Sequence, residues 1–373
     1  MAASDQSDDD RFMALAFALG RRGLGRTWPN PAVGAVVVRD DGVGPVIVGR
    51  GWTQPGGRPH AETEALRRAG AAARGATLYV TLEPCSHHGQ TPPCADAIIQ
   101  SGIARVVSAL EDPNPQVAGA GHWRLAERGI VVEVGPGADE ARRAHAGHIR
   151  RVRDGRPHMT LKLAVSADGK AGLAGRRPAV ITGEAARERV HLTRARNDAV
   201  LTGIGTALAD DPVLTCRLPG MANHSPVRVV LDGKLRLPLD SRLVATAGEA
   251  PLWIVTSESA PSQREEALRA KGAEVFRVGG TNGKLDLLAA LKLLAERGIT
   301  RLMVEAGPIL AAAFLEADLV DEAMLLRSSS ALGAEANDAL EGLSLETLTR
   351  SSRLVPAGAE QIGADRAEFF RRP

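Results

Sequence analysis

Apolar positions along this chain alternate between helical spacing and short unbroken runs. In residues 9–22, Phe12, Leu15, Ala16 and Leu19 recur as on one face of a helix. A turn-rich stretch, Thr27-Trp28-Pro29-Asn30-Pro31, separates it from an apolar, β-branched run at 33–38 that reads as a buried strand. Residues 46–48, across a Gly/Asp turn, read as its hairpin partner. Helical patterns follow at 60–73, 94–101 and 121–129, with strand patterns at 77–82, 105–109 and 130–134. Thr91-Pro92-Pro93 has the form of a helix start, with Thr91 as N-cap.

The second half repeats the alternation. Strands are expected at 160–165, 199–202, 227–231, 252–255, 274–278 and 301–305, and helices at 187–195, 262–271, 285–297 and 309–317. Strands alternating with helices predict α/β sheets covered by helices. Gly203-Ile204-Gly205 lacks the third glycine of a dinucleotide fingerprint, since Leu208 stands there, and reads as a turn after a strand.

A length of 373 residues predicts two domains. Residues 147–157 are basic and carry no clear period, which places the boundary there. The expected division is a disordered tail at 1–10, a first domain at 11–150 and a second at 157–373. The arginines at 142, 143, 150, 151, 153 and 156 read as a solvated helix face leading into a linker.

Composition narrows the function classes. Aromatics make up only 3% and the net charge is +2, which argues against nucleic-acid and membrane partners. No signal-peptide pattern opens the chain, and no run of about 18 apolar residues exists to span a bilayer. Three cysteines, Cys85, Cys94 and Cys216, do not make a disulfide framework, so a reducing cytoplasm is expected.

The sharpest chemical signal is His60-Ala61-Glu62, followed by Pro84-Cys85 and then Cys94. One imidazole and two thiolates suit zinc, and three protein ligands leave one tetrahedral position for water. A His-x-Glu ahead of Pro-Cys is the signature of zinc base deaminases, in which the glutamate moves protons without binding metal. Eight residues separate the cysteines, where the generic pattern has two. A structural zinc site closed by His87 or His88, or an unmetalled pair of thiols, is therefore the competing reading. Elsewhere His122, His145 and His148 read as structural or surface histidines, and Cys216 as a small buried residue.

The run from Pro84 through Ser86-His87-His88-Gly89-Gln90-Thr91-Pro92-Pro93 to Cys94 resembles the bifunctional riboflavin-biosynthesis deaminase/reductase family. So do Pro29-Asn30-Pro31-Ala32-Val33-Gly34, Glu111-Asp112-Pro113-Asn114-Pro115, Leu208-Ala209-Asp210-Asp211-Pro212 and Val304-Glu305-Ala306-Gly307-Pro308. The resemblance implies a cytidine-deaminase-like three-layer domain, then a dihydrofolate-reductase-like domain. It implies zinc-dependent deamination of 2,5-diamino-6-ribosylamino-4(3H)-pyrimidinone 5′-phosphate, then NADPH-dependent reduction of the ribosyl chain to ribityl, in a homodimer.

The resemblance also carries site residues. His60, Cys85 and Cys94 would bind zinc and Glu62 would shuttle the proton; Asn30, His87, Asp112 and Asn114 would contact the pyrimidine or its ribose phosphate. Lys162, Arg194, Leu214, Arg217 and Glu305 would bind substrate in the second half. Ala164, Thr206, Asp210 and the segment Gly307, Pro308, Ile309, Leu310, Ala311, Ala312 and Ala313 would contact the cofactor, Gly307 opening a helix whose N-terminus suits phosphate. Two stretches depart from the family. Pro178-Ala179-Val180 stands where a Ser-x-Trp is common, and Ser328-Ser329-Ser330-Ala331-Leu332-Gly333 where Ala-Pro-x-x-Leu-Gly is. Both lie in the second half, so a deaminase with a non-catalytic second domain is the alternative. A nucleic-acid base deaminase would share the zinc signature but needs a basic or aromatic surface.

Overall fold

The computed structural model describes residues 2–89, 92–115, 117–177, 179–281 and 284–373. The chain folds into two compact units that meet in sequence between Gly155 and Arg156.

The first unit holds helices α1 (Ala2–Gly20), α2 (Ala61–Ala69), α3 (Cys94–Ser101), α4 (Ala120–Ala126), α5 (Ala138–Ala144) and α6 (Ala146–Asp154). Its strands are β1 (Gly34–Asp40), β2 (Pro45–Trp52), β3 (Thr77–Val80), β4 (Arg105–Ser108) and β5 (Val131–Val134), in the order β2-β1-β3-β4-β5. β1 runs antiparallel to β2 and β3, while β3, β4 and β5 are parallel. Both sheet faces are covered, which is why β1 reads as an unbroken apolar run. Ala35, Val37, Leu78, Val80 and Val106 pack with Ala65 and Leu66 of α2, Ile98 of α3 and Leu125 of α4. Val36, Val38, Tyr79 and Val107 pack on the other face with Phe12, Met13 and Phe17 of α1 and Ala141 of α5.

Two glycines of β2 set the depth of α2. A Cβ on Gly51 would lie 2.1 Å from the Ala61 carbonyl oxygen, and one on Gly49 would lie 2.2 Å from that of Ala65. The missing side chains let the start of α2 sit directly on the sheet.

One expectation is corrected in this unit. The acidic stretch at 1–10 enters α1 from Ala2 onward instead of forming a tail. Asp9 is 4% exposed, and its carboxylate accepts from Tyr79 Oη at 2.8 Å and from Arg105 Nη1 and Nη2 at 2.9 and 2.6 Å. A buried carboxylate held by a bidentate arginine belongs to the folded body. At 147–157 the boundary falls where expected, between Gly155 and Arg156; only the lack of a period misleads, since most of α6 lies there, capped by Gly155 at φ 63° and supported by an Arg150–Asp154 pair one turn apart.

The second unit contains β6 (His158–Val165), β7 (Lys170–Gly172), β8 (Ala199–Gly203), β9 (Val227–Leu231), β10 (Leu252–Ser257), β11 (Glu274–Val278), β12 (Gly280–Thr281), β13 (Lys284–Leu285), β14 (Arg301–Val304), β15 (Glu322–Arg327), β16 (Asn337–Asp338), β17 (Val355–Ile362) and β18 (Asp365–Arg371). Nine form one sheet in the order β11-β10-β9-β8-β14-β6-β15-β18-β17. It is parallel from β11 to β15 and ends in two antiparallel pairings, β15 with β18 and β18 with β17. α7 (Glu184–Ala195) leads towards β8, and Gly203 is the N-cap of α8 (Ile204–Asp210). Gly203-Ile204-Gly205, expected as a turn, is therefore a direct strand-to-helix junction. β14 is followed by the helix Pro308–Glu316, with Gly307 as its N-cap. The chain returns to the middle of the sheet between β8 and β6, so the strand order reverses there. In open α/β sheets ligands bind beyond the carboxyl ends of strands at such a point. Among the described residues no helix is long and apolar enough to cross a membrane.

Candidate functional site

In the first unit, three donor atoms converge. His60 caps α2 in an extended conformation, φ −69° and ψ 162°, so its ring precedes the first turn. Cys85 lies in the loop after β3, and Cys94 is the first residue of α3. The expected cap Thr91 lies outside the described residues; Pro93 is the residue before the helix. His60 Nδ1 stands 3.6 Å from Cys85 Sγ and 3.3 Å from Cys94 Sγ, and all three donors lie within 4.8 Å of one another. Tetrahedral zinc, with bonds of ~2.3 Å to sulfur and ~2.0 Å to nitrogen, holds such donors roughly 3.5–3.8 Å apart. The set therefore fits zinc in both chemistry and spacing. His87 and His88 are exposed, and the donor cluster is complete without them. No fourth ligand among the described residues closes the site, which separates it from a structural zinc knot.

The charges in the cluster argue the same way. A hydrogen bond from Cys94 pulls the Cys85 thiol down to about 4 against the effect of burial, with His60 assisting. The same contact, with burial, pushes the Cys94 thiol well up. Two adjacent thiols without a cation thus cannot both ionise, whereas a bound divalent ion deprotonates both. His60 is raised by its hydrogen bond to Cys85. Glu62, in the first turn of α2, is 3% exposed. Burial pushes its carboxyl up to about 7, opposed by His60 and reinforced by Cys85. A buried carboxyl poised near neutrality beside a ligand cluster suits proton transfer.

The neighbouring loops are built on hydrogen bonds. Asn30 Nδ2 donates to the Gly57 carbonyl at 2.8 Å, in a turn where Gly57 has φ 84°. Asp112 accepts from the Asn114 N–H at 2.9 Å and lies 3.4 Å from His148 Nε2. Burial raises the Asp112 carboxyl, but His148 and the Asn114 N–H outweigh it and hold it below the usual range. His148, expected to be structural, is thus a partner of Asp112.

Sequence reasoning missed two residues of this region. Arg124 of α4 donates to the Ser86 carbonyl at 3.1 Å and pairs with Asp96 at 2.6 Å. It therefore grips the residue after Cys85 and one two places beyond Cys94. Glu83 accepts four backbone N–H groups, two from the loop that follows β4 and two from the first turn of α4. Glu83, Glu111 and His122 also bring ligand atoms together, but the Glu83 oxygens are already occupied by those N–H donors. The only clue to Glu83 is an acid at the end of an apolar strand beside Pro84-Cys85. We expect Arg124→Ala to keep the fold and to weaken zinc retention about 10-fold, as loss of an outer-shell contact does. Chelator competition measures it; unchanged retention would contradict the bridging role of Arg124.

The second unit gathers its own charge cluster at the strand ends. Arg194 of α7 pairs bidentately with Glu305 at 2.5 and 2.9 Å, and its Nη1 donates to the Thr215 carbonyl at 3.1 Å. Burial raises the Glu305 carboxyl, yet Arg194 outweighs it and holds it low. Lys162 of β6 sits within electrostatic reach of Glu305, Arg194 and Asp210, and burial pushes its ammonium down. Leu214 is buried with φ 59°, a conformation rare outside glycine. Arg217 is exposed, and its N–H reaches His191 Nδ1 at 3.3 Å, so His191 joins this group although the sequence did not single it out.

The residues expected at a cofactor are only partly assembled. Thr206 Oγ1 accepts the Gly307 N–H at 2.9 Å, joining α8 to the turn after β14. That N–H is therefore taken within the protein. Leu310 packs over Gly203, where a Cβ would meet it at 3.1 Å. Pro308 and Ala313 are half-buried and Ile309 is 52% exposed, whereas Ala311 and Ala312 are buried. Ala164 shares a face of β6 with Lys162. Of the departing stretches, Pro178 lies outside the described residues and Val180 is 83% exposed. The loop at 328–333 is held by Asp168, which accepts the Leu332 and Gly333 N–H groups at 3.1 and 2.8 Å. Cys216 is buried, as expected.

Comparison with known proteins agrees with both units. Residues 6–110 match the cytidine and deoxycytidylate deaminase zinc-binding region, and residues 157–366 match the RibD C-terminal domain. The chain is 40% identical over 368 residues to the riboflavin biosynthesis protein RibD of Escherichia coli, covering 96% of this chain and 97% of that one. It is 39% identical to the protein of the same name from Aquifex aeolicus, covering 98% of each. Among solved structures, Acinetobacter baumannii RibD superposes with a TM-score of 0.87 at 35% identity over 99% of both chains. A Thermotoga maritima diaminohydroxyphosphoribosylaminopyrimidine deaminase/5-amino-6-(5-phosphoribosylamino)uracil reductase superposes with a TM-score of 0.84, also at 35% identity, over 99% of this chain and 100% of that one. The two-part α/β fold expected from the sequence, a cytidine-deaminase-like unit followed by a reductase-like one, is the fold of these relatives.

Proposed function

Since this chain belongs to the RibD family of riboflavin-biosynthesis proteins, we propose that each of its units carries one of two consecutive reactions. The first is hydrolytic deamination of 2,5-diamino-6-ribosylamino-4(3H)-pyrimidinone 5′-phosphate; the second is reduction of the ribosyl side chain to ribityl. The observation that carries the reading is the cluster of His60, Cys85 and Cys94, with Glu62 buried beside it and no fourth ligand among the described residues.

His60, Cys85 and Cys94 would hold zinc, which would supply the Lewis acidity that makes water nucleophilic near neutral pH. Glu62 takes a proton as water adds to the amine-bearing ring carbon, then returns it to the departing nitrogen. The C–N bond breaks, ammonia leaves and the ring keeps the oxygen. Asn30, Asp112 and Asn114, with His87 from the intercysteine loop, hold the pyrimidine and its ribose phosphate.

In the second unit, Lys162, Arg194, Leu214, Arg217 and Glu305 hold the substrate. Ala164, Thr206, Asp210 and the accessible part of the next segment, Gly307, Pro308, Ile309 and Ala313, face the nicotinamide cofactor, which would supply hydride when bound. Lys162 lies among Glu305, Arg194 and Asp210, a place from which its ammonium can hold a proton beside the reacting chain. The protein works in the cytoplasm on a small molecule, as a homodimer.

The test is one tube. Purified zinc-loaded protein and the diaminopyrimidine phosphate should release ammonia, and added NADPH should then be oxidised in equal amount. No ammonia would overturn the deaminase reading. Ammonia without NADPH oxidation would favour a deaminase with a non-catalytic second domain, the reading motivated by the altered Pro178-Ala179-Val180 segment.

A further inference from the structure

We propose that Glu83 is the positioning residue that locks the substrate-side loop of the first unit onto the metal-binding loop. This role rests on the deaminase reading above and adds a residue to it. Glu83 is 6% exposed and stands two places before Cys85. Its Oε2 accepts the N–H groups of Asp112 and Gly119, both at 3.0 Å. Its Oε1 accepts those of Gly121 at 2.8 Å and His122 at 3.4 Å. One carboxylate thus gathers four backbone donors spread over eleven residues, from the start of the loop to the first turn of α4. Two residues of extended chain span at most about 7 Å. Asp112 is consequently tethered within a short reach of a zinc ligand.

Packing on both sides supports a lock. A Cβ on Gly121 would lie 2.0 Å from the Pro84 carbonyl oxygen, so the first turn of α4, where the loop ends, rests directly on the residue before Cys85. Gly119 adopts φ 75°, which turns its N–H towards Glu83 at a place where a side chain would be strained. Only a carboxylate answers this arrangement. Glutamine would turn an NH2 group towards N–H donors, leaving two of them without an acceptor. The loop freed in this way carries Asp112 and Asn114, while His60 and Glu62 are held by α2, Cys94 by α3, and Cys85 by its carbonyl, which accepts the Ala95 N–H of α3 at 3.1 Å. The expected defect is therefore in substrate positioning, with the metal retained.

The experiment compares zinc-loaded wild type, Glu83→Gln and, from the loop side, Gly119→Ala, which leaves the carboxylate in place. Both variants should keep one zinc per chain and raise KM for the diaminopyrimidine phosphate about 10-fold or more. kcat should fall less than about threefold, the pattern of lost uniform binding. Hydrogen exchange should quicken at the amides of Asp112, Gly119, Gly121 and His122 and stay unchanged in β1 and β3. Unchanged KM in both variants, or faster exchange throughout the unit with loss of zinc, would overturn the assignment. A wild type that exchanges slowly at those amides yet releases no ammonia would sink the deaminase reading itself, and the role of Glu83 with it.

Discussion

Glu62→Gln should bind zinc as the wild type does and deaminate about 10²–10⁴-fold more slowly, the usual contribution of a positioned acid–base group. The substitution is nearly isosteric and removes only the capacity to take and return a proton. Glu62 is buried in the first turn of α2, two residues after His60. Zinc content by atomic absorption and ammonia release in the same samples separate the two effects. Near-normal turnover in Glu62→Gln would mean that another group moves the proton. Reduction of pre-formed deaminated substrate should be untouched, because it uses residues of the other unit.

The second large effect is expected at Arg194. Arg194→Ala strips the bidentate partner from Glu305, whose carboxylate is then buried without its cation. Breaking a buried pair from one side costs about 3–5 kcal/mol. It also removes one of the two groups at the Thr215 carbonyl, leaving His191 Nδ1 at 3.1 Å, and so weakens the hold on the loop that carries Leu214 and Arg217. NADPH oxidation should fall at least about 100-fold, while ammonia release stays within about twofold of wild type. The double variant Arg194→Met with Glu305→Leu should regain most of the lost stability, since apolar replacements of a buried pair are often neutral. It should not regain reductase activity. Recovery of activity in that variant would show that the pair serves the fold alone.

Much of the fold was legible because its pattern is local. Runs such as β9 and β11 are short, apolar and bounded by turns, and their predicted limits agree with Val227–Leu231 and Glu274–Val278. The edge hairpin was not legible. β17 is largely exposed and includes Pro356 and Gly358, so no alternation marks it; its pairing with β18 supplies the structure. The N-terminal acids misled for a related reason. Asp9 looks solvated in sequence, and only Tyr79 and Arg105, some 70 and 96 positions away, explain its burial.

The site divides along the same line. The candidate metal ligands are recognisable as chemical types at a spacing, since few other uses exist for a histidine, a nearby glutamate and two cysteines so placed. The groups that hold them in register are ordinary residues: Gly49 and Gly51 beneath α2, Arg124 between the two cysteine segments, and Glu83 under the Asp112 loop. Their meaning lies in partners far along the chain. Part of the expected cofactor segment, Ala311 and Ala312, turned out to be buried in the unit, because a helix that starts at a strand end directs one side inward.

Everything proposed for the first unit depends on a zinc ion with an open position. X-ray absorption at the zinc edge of the purified protein tests that most directly. The expected result is one zinc per chain with two sulfurs at about 2.3 Å and two lighter atoms at about 2.0–2.1 Å, one of them exchangeable solvent. A shell filled by four protein ligands, or a chain purified and reconstituted without zinc at His60, Cys85 and Cys94, would contradict it.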